Sequence, residues 1–239
     1  MVAEQTIRIE NNENLEDVIE AQALVDDVVR LVRNKHADFD ILAIQDDDRE
    51  TFELLCEGDT SSLLWFDDSE KQKNLRHLGP KDFNDLLVFN ALYSSVFTQS
   101  VLEQFIVWRR NPESIVSLDP SFDEVLRPTF GLFVFYEQVV QAIQIFAGFD
   151  SVHAEHLRKL MCKDRRSELS IELDAFVAGA MATGHTEEQA INVFRILRSN
   201  VKDCKKRVYW AAYTMISYRL AYLKAHYPVE FAAVVNSMN

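Results

Sequence analysis

The stretch WAAYTMISYRLAYLKAHYPVEFAAVV, residues 210–235, decides how the C-terminal part of this chain folds. Four of its apolar side chains recur at the three- to four-residue spacing of an amphipathic helix. They are Ala212, Ile216, Leu220 and Leu223. Pro228 favours the first turn of a second helix, because the N–H that proline lacks has no partner at that position. The stretch therefore predicts two consecutive helices, the first with an apolar stripe packed on a core.

Helical spacing also recurs upstream, most clearly in LFVFYEQVVQAIQIFAGF at residues 132–149. Only six Gly and five Pro interrupt 239 residues, which are too few turn signals for a sandwich or barrel of short strands. The predicted fold class is mainly α, with many helices and little or no β. Residues 1–14 are polar and are predicted to be a flexible N-terminus, and residues 15–239 a helical domain. Any division into two subdomains is predicted near residues 113–129, which contain two prolines.

Cysteine and hydropathy patterns exclude several classes of protein. No apolar run of about eighteen residues and no basic, apolar leader is present, so neither a membrane span nor a secretory signal is predicted. Cys56, Cys162 and Cys204 are too scattered for a disulfide framework or a four-ligand zinc site. His153 and His156 have a spacing that can hold a metal, but no second pair lies near them in sequence. We expect a cytoplasmic protein without metal or cofactor.

The charge of the chain is divided unevenly. Residues 1–149 carry 12 Lys and Arg against 28 Asp and Glu, whereas residues 150–239 carry 13 against 10, giving −16 and +3 and a total of −13. Because phosphate is bound largely by Lys and Arg, the first part is expected to repel nucleic acid. Only the C-terminal part offers basic residues for it.

Several phrases in a fixed order carry a resemblance to a known family. They are TFELLCEGDTSSLLWF at 51–66, FNDLLVFNALY at 83–93, PTFGLFVFYEQVVQAIQIFAGF at 128–149, LRKLMCK at 157–163 and ISYRLAYLKAHYPVEF at 216–231. Together they resemble the fingers domain of bacterial DNA polymerase III alpha subunits, from about Ala21 to Val235. The resemblance implies a fingers-like helical fold and an ancestry in DNA replication.

The chain departs from the family pattern at the positions of the family's metal-binding and nucleotide-facing residues. Polymerases of this family clamp Mg²⁺ with palm aspartates; two are absent, and the third falls near Leu15, where only Glu16 and Asp17 offer carboxylates. The family's Arg-Pro-Gly-Pro loop is replaced by SSVF at residues 94–97, and its Met-Gly-Lys-Lys by MCKD at residues 161–164. The resemblance with these departures implies that the chain is not an enzyme.

Basic positions remain candidates for contact with nucleotide or DNA. Arg158 and Lys163 match family positions that face the incoming nucleotide. The other candidates form one dense basic stretch, namely Lys202, Lys205, Lys206 and Arg207. Tyr209 and Trp210 follow directly, and cations beside aromatic rings suit single-stranded nucleic acid. A helix end with cations beside its own core aromatics gives the same pattern.

Two aromatic residues are candidates for contact with a protein partner. Trp65 and Phe97 stand where the resemblance places polar or turn residues of the polymerase cleft. They either fill the vacated cleft or form an exposed patch for a partner.

Three functions are compatible with these patterns. The first is a catalytically inactive fingers-like protein, a binding or regulatory module in or against DNA replication, whose partner is a protein of the replication machinery. The alternative is a nucleic-acid-binding module that uses the basic C-terminal third, with weak affinity for DNA. A second alternative is a decayed remnant without selected activity.

Overall fold

The computed structural model describes residues 15–63, 65–93 and 99–238, so the predicted flexible segment 1–14 lies outside the described residues. Over the described residues the chain is mainly α-helical, which confirms the predicted class. This part of the chain holds no β-strand, and one isolated parallel bridge joins Phe135 and Lys205. Within these same ranges, no helix is both long and apolar enough to cross a membrane.

Twelve α-helices are assigned within the described ranges. They are α1 (Leu15–Arg33), α2 (Arg49–Glu57), α3 (Ser69–Leu78), α4 (Phe83–Tyr93), α5 (Gln99–Arg110), α6 (Asp123–Leu126), α7 (Tyr136–Ala147), α8 (Ser151–Cys162), α9 (Arg166–Ala182), α10 (Glu187–Asn200), α11 (Arg207–His226) and α12 (Pro228–Met238). Short 3-10 turns lie at Pro112–Ser114, Pro120–Phe122 and Arg127–Thr129. The last two helices are those predicted from residues 210–235.

Packing divides the chain into two compact units. The first unit comprises the residues up to Asn90 and those from Val208 onward, and the second comprises Ala91–Arg207. Residues 113–129 lie inside the second unit, and a division of the chain near them stays a prediction.

The first unit is built around α11. Tyr218 is fully buried, with ring centres 5.7 Å from Phe52 and 6.1 Å from Phe83. Its hydroxyl donates to the carbonyl of Gln45 at 2.8 Å and accepts from the N–H of Asp48 at 3.0 Å. The predicted apolar stripe is buried at Ile216, Leu220 and Leu223, whereas Ala212 is half-buried. The stripe is therefore part of the core.

The second unit is built around α7, whose apolar face is buried as its spacing predicts. The ring of Phe146 stacks on that of Phe176 in α9, with centres 5.8 Å apart. Helix α9 approaches closely at Gly179, where an added Cβ would lie 2.2 Å from the carbonyl oxygen of Ala147. Gly148 ends α7 in a left-handed conformation with φ +68°, which glycine adopts without steric cost.

Candidate functional site

The candidate phosphate-facing site lies at the C-terminal end of α8 and in the segment between α10 and α11, all within the second unit. Asp150 caps the N-terminus of α8 by accepting from the N–H of His153 at 2.8 Å. The face of α8 that packs into the unit is formed by Ala154, Leu157, Arg158, Leu160 and Met161. An arginine among these apolar residues requires a partner.

Arg158 finds that partner one turn earlier on its own helix. It is only 7% exposed, and it donates from Nε and Nη2 to the carboxylate of Glu155 at 2.7 and 2.9 Å. Its guanidinium carbon lies 4.3 Å from the ring centre of Tyr136. Burial acts to lower the pKa of Arg158, but the bonds to Glu155 outweigh it, and the pKa lies above its usual value. Arg158 is thus held inside the unit by a carboxylate and a ring.

Tyr136 is half-buried beside Arg158. Burial, together with the neighbouring thiol of Cys162, raises the pKa of Tyr136 to about 12. The side chain of Cys162, at the end of α8, lies beside the tyrosine hydroxyl.

The turn after α8 places an acidic residue beside basic ones. Lys163 is exposed, and Asp164 follows with φ +51°, a conformation that Asp tolerates better than most residues. Arg198 of α10 donates from Nη2 to Oδ1 of Asp164 at 2.5 Å. This bond, with the nearby charge of Lys202, holds the pKa of Asp164 below its usual range. Asp164 therefore offsets part of the positive charge of Arg198 and Lys202.

Lys205 has a structural role through its backbone. Its N–H donates to the carbonyl of Val134 at 2.8 Å, and its carbonyl accepts from the N–H of Tyr136 at 2.9 Å. Burial lowers the pKa of its half-buried ammonium group. Next to it, the buried Cys204 has a pKa raised by burial to about 12. In the same stretch Lys206 is half-buried, whereas Lys202 is exposed.

A groove of about 570 Å³ runs along α7 beside Arg207. The N–H of Arg207 donates to the two carboxylate oxygens of Glu137 at 3.2 and 3.3 Å, and its guanidinium carbon lies 5.8 Å from the ring centre of Phe135. Glu124 adds a second carboxylate to the lining. With two carboxylates beside one cation, this groove is poorly suited to a phosphate backbone.

Trp65 belongs to the first unit, whereas the basic positions described above belong to the second. It is half-buried, and its ring centre is 5.2 Å from that of Tyr213. Phe97, the other candidate for a partner contact, lies outside the described residues.

The remaining polar candidates are dispersed. Glu16 and Asp17 stand in the first turn of α1, where acidic side chains complement the helix dipole. His153 stacks on Phe149 at 3.8 Å and meets Glu172 at 2.7 Å, whereas His156 is exposed. Among the described residues no group of three or more metal-ligating side chains comes together.

One polar cluster was not indicated by the sequence. His226 at the end of α11 meets Asp48 through Nε2 at 2.8 Å and Glu50 through Nδ1 at 3.6 Å. Asp48 also caps α2 by accepting from the N–H and hydroxyl of Thr51 at 2.8 and 2.7 Å. Asp48 is recognisable as a cap, but His226 lies 178 residues away, so no local pattern links the two.

This chain is similar in sequence to one family of bacterial proteins. Residues 15–184 match the family described as the bacterial DNA polymerase III alpha subunit finger domain. DNA polymerase III subunit alpha of Borreliella burgdorferi is 34% identical over 218 residues, which cover 90% of this chain and 19% of that protein. The same subunit of Treponema pallidum is 32% identical over 206 residues, 86% of this chain and 18% of that protein. That of Halalkalibacterium halodurans is 31% identical over 215 residues, 90% and 19% respectively.

Proposed function

Because the chain belongs to the family of bacterial DNA polymerase III alpha subunit finger domains, we propose that it is a catalytically inactive fingers-like module that acts in or against DNA replication through protein contacts. The chain spans about a fifth of the length of the curated relatives it matches, 19% in the first case. The proposal therefore concerns what the residues of this segment can bind. Its expected partner is a protein of the replication machinery.

The observation that carries the proposal is that Arg158 is buried and hydrogen-bonded to Glu155. A residue that contacts a nucleotide phosphate needs N–H donors directed at solvent or at the ligand. Two of the donors of Arg158 are instead bonded to Glu155, and its guanidinium is covered by Tyr136. Releasing it would give up two charge-assisted hydrogen bonds and leave the half-buried Glu155 paired only with Lys159 at 3.4 Å.

The bond between Asp164 and Arg198 supports the same conclusion. Phosphate affinity grows with the number of Lys and Arg side chains that can neutralise phosphates. Asp164 binds Arg198 directly and lies near Lys202, so it lowers the positive potential at the position where the family has a lysine. Binding of nucleotide or DNA at this turn is correspondingly disfavoured.

The charge of the first unit favours a protein partner with a basic surface. From Glu50 to Glu70 the chain contains seven acidic residues and neither Lys nor Arg. Complementary charge on the partner would steer association and fix its orientation. A nucleic acid would be repelled by the same residues.

Nucleic-acid binding by the basic C-terminal third is the second candidate. It is favoured by the exposure of Lys202 and Arg207, which leaves two cations of that stretch at the surface. Partly exposed Tyr209 could stack on a base.

Salt-dependent binding separates the two candidates. Fluorescence anisotropy with labelled single-stranded and primer-template DNA, begun at low salt, is expected to give a Kd weaker than about 100 μM, the weak end of non-specific binding. When the folded chain is used as bait in an affinity purification, we expect a replication protein to be recovered. A Kd near about 1 μM that weakens steeply with salt would support the second candidate instead. Binding to neither DNA nor protein would contradict both and favour a decayed remnant.

A further inference from the structure

Helix α9 packs on the second unit by one face. The buried residues of that face are Leu169, Phe176 and Ala180. Gly179 lies beside them and allows the helix to approach the carbonyl of Ala147. The hydroxyl of Thr183, directly after the helix, donates to the carbonyls of Phe146 and Ala180 at 2.6 and 2.8 Å. The orientation of α9 is therefore fixed, and its opposite face cannot turn inward without losing this packing.

The opposite face of α9 is apolar as well. Ile171 is 72% exposed and Met181 is 55% exposed. The other exposed apolar residues of this face are Ala175, Ala178 and Ala182. Ile171 and the three alanines follow one another at intervals of four, three and four residues, which is the spacing of the seam between two packed helices. Because a helix that is apolar on all sides is normally covered on all sides, this face is suited to a further helix.

Charges of opposite sign mark the two ends of the α9 face. The side chain of Arg166, in the first turn of α9, is 85% exposed, and its Nε lies 3.8 Å from Oδ2 of Asp164, which binds Arg198 more closely. Past the other end of α9, Glu187 and Glu188 begin α10. Both glutamates are exposed, and within the described ranges neither forms an ion pair. The face therefore has a basic end and an acidic end.

This surface is complementary to itself about a two-fold axis. Two copies of α9 in antiparallel order place the large Ile171 of each copy opposite the small Ala182 of the other, since the two residues are equally far from the middle of the seam. The same order brings the basic end of each copy to the acidic end of the other. A parallel order would set Arg166 against Arg166. The pattern therefore favours a second copy over an unrelated helix.

We propose that the α9 face binds a second copy of this chain and forms an antiparallel helix pair about a two-fold axis. The alanines of the seam let the two backbones approach closely. Arg166 of each copy pairs at the rim with Glu187 or Glu188 of the other, which fixes the antiparallel order. Most of the affinity comes from the apolar seam, because exposed ion pairs contribute little. Such a dimer goes beyond the proposed function, since it needs no replication protein.

Sedimentation equilibrium of the full chain measures this self-association. We expect a monomer–dimer equilibrium with a Kd of about 1–100 μM, because one helix pair is a small interface. Ile171→Glu should raise the Kd by about tenfold or more, since it buries a charge in the seam. The control is Val229→Glu, which introduces the same charge at an apolar residue that is 70% exposed on α12 in the first unit, and it should change the Kd by less than about twofold.

Both variants should keep the circular dichroism spectrum and the melting temperature of the original protein, because both positions are exposed. A protein that stays monomeric at about 1 mM would overturn the proposal. A dimer that Ile171→Glu and Val229→Glu weaken equally would also overturn it, because only the net charge would then matter.

A charge exchange tests the antiparallel order. Arg166→Glu should raise the Kd by about threefold or more, because two acidic ends then meet. Adding Glu187→Arg and Glu188→Arg to this variant restores opposite charges and should return the Kd to within about twofold of the original value. A combined variant that associates no better than Arg166→Glu alone would show that these ends do not meet, and the two-fold arrangement would be wrong.

A different occupant of the face would give its own result. A chain that stays monomeric and recovers a replication protein in the affinity purification, but loses it with Ile171→Glu and keeps it with Val229→Glu, would assign the face to that protein. This outcome would overturn the binding of a second copy and leave the proposed function intact.

Discussion

Nε and Nη2 of Arg158 donate to the two carboxylate oxygens of Glu155, at 2.7 and 2.9 Å, across one turn of α8. From the sequence we expected Arg158 to face a nucleotide, and that expectation stays a prediction. With the ring of Tyr136 on its other side, Arg158 serves the packing of the second unit. A residue with this role should matter for stability more than for ligand binding.

The first prediction concerns Arg158→Met, which keeps an apolar stem and removes the charge. Because the half-buried Glu155 loses two hydrogen bonds and keeps only its pair with Lys159 at 3.4 Å, unfolding should become easier by about 0.5–2 kcal/mol in urea titrations. Arg30→Met is the control: it breaks an exposed pair with Asp27 on α1 and should change the free energy of unfolding by less than about 0.5 kcal/mol. A stable Arg158→Met variant that had lost affinity for nucleotide would show that Arg158 contacts a ligand.

The second prediction concerns the charge of the turn that contains Asp164. Asp164→Lys releases Arg198 and changes the local charge by two units, so affinity for single-stranded DNA at low salt should rise about tenfold or more. The plot of log affinity against log salt should steepen by about one to two units. Asp174→Lys makes the same charge change on α9 and should have a smaller effect. If both variants gained equally, the location of Asp164 would be irrelevant.

The cluster at the end of α11 makes stability depend on pH. Burial acts to raise the pKa of Asp48, but hydrogen bonds from His226 and Thr51 outweigh it, and the folded-state pKa lies below the ordinary value. A carboxyl whose pKa is lowered by folding contributes stability above its unfolded pKa of about 3.9, and this is lost as pH falls through the folded value.

Asp48→Asn should therefore destabilise the protein at pH 7 by about 0.5–2 kcal/mol, since Asn still caps α2 but no longer carries the charge that binds His226. In urea titrations at a series of pH values, the difference from the original protein should shrink below about pH 4. A difference that stays constant down to pH 3 would mean that the charge of Asp48 contributes nothing.

The apolar stripe of α11 gives the fourth prediction. Leu220 is fully buried, so Leu220→Ala should lower the free energy of unfolding by about 2–5 kcal/mol, which is a large share of the stability of an ordinary domain. Val229 is 70% exposed on α12, and Val229→Ala should change it by less than about 0.5 kcal/mol. Thermal and urea unfolding measure both. The opposite order would place the core on the wrong face of the helix pair.

The sequence predicted more of the fold than of the candidate site. The stripe through Ile216 and Leu220 is periodic, and periodicity reports burial, so the helix pair was predictable. The pair of Arg158 and Glu155 is a local contact within α8, whereas the packing of Arg158 on Tyr136 depends on another helix and could not be predicted from the sequence. The density of cations near Lys202 overstated the positive charge, since Asp164 reaches Arg198 from 34 residues away.

Contacts of this long-range kind escape sequence patterns for a physical reason. Capping and helical spacing act within one or two turns, so Asp48 was recognisable as the start of α2. Its bond with His226, and the packing of Trp65 on Tyr213, exist only once distant helices have assembled. The packing of Trp65 on Tyr213 therefore became visible in the structure alone, although Trp65 itself stood out in the sequence.

The most direct test of the account is crosslinking and mass spectrometry of the protein in its own host cells. A module that acts through protein contacts should yield crosslinked peptides that join its first unit to a protein of the replication machinery. Crosslinks to nucleic acid through the stretch from Lys202 to Arg207, with no replication protein recovered by the folded chain, would contradict the account.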